Sequence, residues 1–95
     1  MRDAHYIALI HKDADSGYGV SFPDVPGVIA VADTLDDAIA EAAAVLAFAF
    51  EDWVGERPEP RTLEDLRQDA GFQHDASGAV VAVIRPSAEY YHAAE

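Results

Sequence analysis

Apolar positions recur with period two over roughly the first third of the chain and then shift to a spacing of three and four. Residues 5–11, HYIALIH, put Tyr6, Ala8 and Ile10 on one side of an extended strand and His5, Ile7, Leu9 and His11 on the other. Both sides are largely apolar, which predicts a strand in the interior of a sheet. KDADSG follows as turn chemistry, with Gly17 available for positive φ, and YGVSF then alternates Tyr18, Val20 and Phe22 against Gly19 and Ser21. In PDVPG, residues 23–27, Pro26 and Gly27 suit the two central positions of a type II turn. VIAVA, residues 28–32, completes a three-stranded antiparallel meander.

The period changes at Thr34, a predicted N-cap with Asp37 three residues later as an aspartate version of the capping box. Asp36 and Asp37 also complement the positive end of a helix dipole. From Leu35 to Trp53 the residues Leu35, Ala38, Ile39, Ala42, Val45, Leu46, Ala49, Phe50 and Trp53 form one wide apolar face, which predicts a long helix lying on the sheet, with Gly55 as its stop signal. VGERPEPR, with two prolines, reads as a stiff surface connection, and Thr62 with Asp65 restarts a short helix over Leu63 to Asp69. DASG, residues 75–78, is a predicted turn into AVVAVIR, whose unbroken apolar run suits a buried fourth strand ended by Pro86. The expected class is therefore α+β: an antiparallel meander plus a fourth strand, with one long helix packed on one face. Residues 1–86 form the expected domain and 87–95 an expected tail.

Ninety-five residues are enough for one core, and a chain of this length buries only a little over ~60% of its unfolded surface. The 18 Asp and Glu against six Lys and Arg give a formal net charge of −12. Such a field repels nucleic-acid phosphates and anionic lipid, so neither nucleic acid nor membrane is an expected partner of this domain. Acidity serves solubility alone as well as it serves a basic partner. There is no Cys for a disulfide or thiolate metal site, and the amino-terminal apolar stretch is too short to span a membrane, which makes a cytoplasmic location the default.

Catalytic chemistry finds little support. His5 and His11 lie ~20 Å apart at strand rise and cannot share an ion, while His74 and His92 fall in a predicted loop and tail without a second ligand in register. SGYGVSF lacks both glycine-rich phosphate-loop patterns, and no serine has nucleophile-elbow context. A two-metal nuclease would need converging carboxylates, yet Asp3 and Asp24 flank strands and Glu41 is expected on the helix face away from the sheet. No enzyme, cofactor or metal site is expected, and a residual metal-dependent nuclease using Asp3, Asp24 or Glu41 stands as an alternative reading. The outer helix face offers more: Asp36, Asp37, Glu41, Glu51 and Asp52 surround Ala40, Ala44, Ala47 and Phe48, a charged rim about an aromatic anchor. This pattern describes a solvated acidic face or a protein-binding patch, including one through which the chain pairs with itself as a homo-oligomer.

Phe22-Pro23-Asp24-Val25-Pro26-Gly27, followed by Asp33-Thr34-Leu35-Asp36-Asp37-Ala38, resembles the signature of the HicB-like antitoxin domain in element order and spacing. Similarity of layout runs over roughly residues 4–86. The resemblance implies a degraded ribonuclease-H-like fold without nuclease carboxylates, and binding of a small basic HicA-type toxin that cleaves mRNA. It makes Asp24 and the acidic helix residues Asp36, Asp37, Glu41, Glu51 and Asp52, with Phe48, the expected partner-binding residues. Val28, Ala32 and the Asp36-Asp37 pair depart mildly from the pattern, where Cys or another small residue, Gly, and Glu-Glu are usual. The family usually continues into a DNA-binding domain, whereas this sequence stops at Glu95, so no operator binding is expected of these residues.

Overall fold

The computed structural model describes residues 4–13 and 17–87. Four strands, β1 (Tyr6–Lys12), β2 (Tyr18–Ser21), β3 (Ile29–Ala32) and β4 (Val80–Ile84), combine with α1 (Leu35–Glu51), α2 (Leu63–Leu66) and α3 (Ala70–Ala76). The strands form one wholly antiparallel sheet in the order β3-β2-β1-β4. β1 is central because both its faces are apolar: Tyr6 to Ile10 are all buried.

The predicted turn forms between β2 and β3. Val28 N–H donates to the Val25 carbonyl at 3.3 Å, and Gly27 takes φ of 94°, the left-handed value that the third position of a type II turn requires. Gly17 does not adopt positive φ as expected. It is small for a different reason: a Cβ there would lie 1.9 Å from the Ala32 carbonyl oxygen, so glycine alone lets the start of β2 meet the end of β3.

The Thr34 hydroxyl accepts the Asp37 N–H at 3.1 Å, and α1 then runs across one face of the sheet. Ala38, Ala42, Leu46 and Phe50 pack on Tyr6, Ala8, Ile10, Val20, Phe22, Ala30 and Ile84. The alanines bring the helix close, and Leu46 and Phe50 each contribute on the order of 1.5–3 kcal/mol by leaving water. Trp53 lies just past the helix, with its ring edge-on to Phe50 at 5.3 Å and its indole N–H donating to the Glu56 carbonyl at 3.1 Å.

The second sheet face carries the two short helices: Ile7 and Leu9 are covered by Leu66 and Phe72 of α2 and α3, with Leu63, Ala76 and Ala79 around them. Two expectations need correction. α3 was not anticipated; Asp69 caps it through its carboxylate, which accepts the N–H groups of Gly71 and Phe72, and the helix absorbs His74 together with Asp75 and Ala76 of the expected turn. β4 is not a buried strand. It is a sheet edge on which Val80, Val81 and Val83 are exposed, because among the described residues its one strand neighbour is β1.

Candidate functional site

Asp24 is held inside the molecule's own framework. One carboxylate oxygen accepts the Arg61 backbone N–H and the other accepts Arg61 Nε, each at 2.7 Å, and only 9% of the Asp24 side chain is exposed. Arg61 reaches on to Asp69 at 3.3 Å, so one guanidinium ties the Pro-Gly turn to the connection before α2 and to the cap of α3. Backbone N–H groups of Phe72 and Gly71, and then Arg61, hold the Asp69 carboxyl below its ordinary value. At the other end of that connection, the Tyr6 hydroxyl donates to the Pro58 carbonyl at 2.5 Å and the Arg57 guanidinium sits 4.5 Å from the centre of the Phe50 ring. The proline-containing segment is thus fixed at several points, and Asp24 is part of its fixing.

The remaining acidic candidates divide along α1. Asp36 and Glu51 stand ~22 Å apart at helical rise, too far to act as one small site. At the amino-terminal end, Asp37 and Glu41 join Asp13 and Asp33 around a cleft of about 540 Å³, completed by Gly17, Tyr18, Val31 and Ala32. Glu41 therefore does not face away from the sheet as expected. It is half-buried at the β3 border, because the first turns of α1 cross that edge of the sheet. Four carboxylates from three separated segments share this cleft. Lys12 lies near its mouth, with Nζ donating to the Asp13 carbonyl at 2.8 Å and 5.6 Å from the Tyr18 ring centre.

At the carboxy-terminal end, Glu51 and Asp52 are exposed, as is Phe48 at 64%. The small-residue surround expected for Phe48 is incomplete: Ala44 is fully buried, and Ala40 and Ala47 are half-buried. Part of the reason is that the chain turns back over α1 after β4, with Pro86 buried and Ser87 N–H donating to the Ala43 carbonyl at 3.0 Å. The rest of the expected tail, including His92, lies outside the described residues, as does Asp3.

Among the described residues no three His, Asp or Glu side chains come together as a metal site, and no helix is long and apolar enough to cross a membrane. His11 Nε2 lies 2.8 Å from the Asp75 carbonyl oxygen, linking the end of β1 to α3. What the geometry provides is a carboxylate-lined cleft beside an exposed sheet edge, a surface of negative potential that attracts cationic groups.

Residues 6–91 match the family model described as HicB_like antitoxin of bacterial toxin-antitoxin system. The structure is similar to the N-terminal domain of the Burkholderia pseudomallei antitoxin HicB, with TM-score 0.66 and 30% identity, covering 84% of this chain and 94% of that one. It is similar to the longer structure of that antitoxin at TM-score 0.64 and 30% identity, covering 84% of this chain and 61% of that one. A chain of a HicA3 and HicB3 toxin-antitoxin complex shares the fold at TM-score 0.65 and 18% identity, over 84% of this chain and 94% of that one. No curated protein sequence matches.

Proposed function

Because the chain belongs to the family of HicB-like antitoxins of bacterial toxin–antitoxin systems, we propose that it binds a small basic HicA-type toxin and covers the surface with which that toxin cleaves mRNA. The observation that carries this reading is the convergence of Asp13, Asp33, Asp37 and Glu41 on one cleft in a chain of net charge −12. A surface that meets RNA is cationic, and four carboxylates around one cleft present it with charge of the opposite sign. The relative solved in a toxin-antitoxin complex has the same fold and supports a toxin as partner. The role is binding rather than catalysis, and a toxin that cuts mRNA sets the cytoplasm as its place of action.

On this reading Asp36, Asp37 and Glu41 steer the encounter, while Glu51, Asp52 and Phe48 serve a more distant part of the contact. Asp24 acts indirectly, by holding the Pro-Gly turn through Arg61. Surface plasmon resonance against a HicA-type toxin tests the assignment. Replacing Asp36, Asp37 and Glu41 with Asn, Asn and Gln should lower the association rate about tenfold at low salt and flatten the salt dependence of the wild-type rate. Identical association rates for the two proteins, with helicity by circular dichroism unchanged, would remove the acidic end of α1 from the interface.

A further inference from the structure

Among the described residues, the sheet face opposite α1 is covered only over its middle. α2 and α3 close over Ile7 and Leu9, but toward β3 the same face is open. There Ile29 is 67% exposed and Val31 72%, on a strand that forms the sheet edge. Register explains why they face outward together: Ser21 pairs with Ile29 and Gly19 with Val31, while the alternate residues Val20 and Ala30 point into the core under α1. Gly19 leaves a gap between its cross-strand neighbours His11 and Val31, and the result is a groove of about 230 Å³ whose floor lacks a side chain. Among the described residues, its two chain neighbours aside, nothing lies within 4 Å of where a Cβ of Gly19 would be.

Fully apolar side chains on an uncharged edge strand are a liability that folded proteins usually blunt with charge, proline or a covering element. IAVA carries neither charge nor proline, and within the described residues this face of β3 is left uncovered. Val31 also lines the acidic cleft, so the apolar groove and the carboxylates form one continuous surface. Apolar anchors at the centre of a patch with charge at its rim are how protein interfaces combine affinity with steering.

We infer that the open β3 face, with Ile29 and Val31 as anchors around the Gly19 groove, is the docking surface for a cationic protein partner, which on the function proposed above is the HicA-type toxin. This inference rests on that function. Charge complementarity selects the occupant: a second copy of this chain would bring another set of carboxylates against the cleft, whereas a basic partner neutralises them while its apolar residues fill the groove. The edge at β4 is also apolar, but the cleft lined by Asp13, Asp33, Asp37 and Glu41 adjoins β3, through Val31 and Ala32.

The test uses isothermal titration of a HicA-type toxin into the full chain and three variants. Gly19→Tyr fills the groove where there is room for it and should keep or raise the melting temperature, since glycine weakens a strand interior. Ile29→Thr with Val31→Thr keeps β-branched shape on exposed positions while removing the apolar anchors. Both should weaken toxin binding at least tenfold with the fold intact by circular dichroism, and Val83→Thr on β4 should bind like wild type. Wild-type affinity in both β3 variants overturns the docking surface while leaving the antitoxin reading in place. Loss confined to Val83→Thr, or a homodimer that the β3 variants dissolve, overturns it as well. Failure of the unaltered chain to bind the toxin overturns the antitoxin reading and this surface with it.

Discussion

Single residues decide this structure where two backbones or two charges must meet. Gly17 is the clearest case, because its missing side chain is what allows Ala32 to approach. Gly17→Ala should therefore cost on the order of 1–3 kcal/mol through overpacking against backbone that cannot rotate away. Urea unfolding followed by the fluorescence of Trp53, the only tryptophan, reads this directly; an unchanged midpoint would mean that β2 and β3 separate there freely. The pair Asp24 and Arg61 shows the opposite limit of residue-level reading. The Pro-Gly turn is legible because proline and glycine constrain their own dihedrals, but the guanidinium that holds Asp24 lies 37 residues away, and no local pattern announces it. Asp24 therefore reads as an available partner-binding carboxylate in sequence and as an internal tie in the fold.

At the level of elements, β1 and α1 were legible because their periodicities are long and their caps explicit, and the observed bounds fall within two residues of the expected ones. The covering pair α2 and α3 was half visible. Thr62 and Asp65 mark the first, whereas Asp69 marks the second only weakly, since Gly71 interrupts its first turn and only Phe72 is fully buried. Once formed, α3 depends on the cap. The Asp69 carboxylate is held below its ordinary value, so it binds its proton later on acidification in the folded chain than in the unfolded one. Its stabilising contribution is thus complete above about pH 4, the unfolded range for aspartate, and is lost as pH falls through the lower folded value. Asp69→Asn, which keeps an acceptor for the cap but loses the charge toward Arg61, should reduce stability at pH 7 and flatten its decline below pH 4. Equal pH dependence in the two proteins by thermal melting would place the acid sensitivity elsewhere. The apolar run of β4 was misread for a physical reason: hydrophobicity records a tendency to leave water, and only the strand order says which neighbour is present to satisfy it.

For the whole molecule, net charge is readable from composition, but its distribution is not. Asp13, Asp33, Asp37 and Glu41 come from the end of β1, the end of β3 and the first turns of α1, and only the antiparallel return of the sheet gathers them. The family resemblance rested on the stretch from Phe22 to Ala38, which builds the turn, β3 and the start of α1, and these same segments border both the acidic cleft and the open β3 face. An acidic cleft that adjoins an uncovered apolar strand is the kind of surface that a protein partner completes, which is the role proposed for it here. On the function proposed above, completion by a HicA-type toxin hides the toxin's RNA-cleaving surface. Cleavage of a labelled RNA by that toxin, titrated with this chain at low salt, tests it most directly. Cleavage should fall to background once the chain saturates the toxin and return as salt is raised to dissociate the pair; a saturated complex that still cleaves RNA at the free toxin's rate would contradict this role.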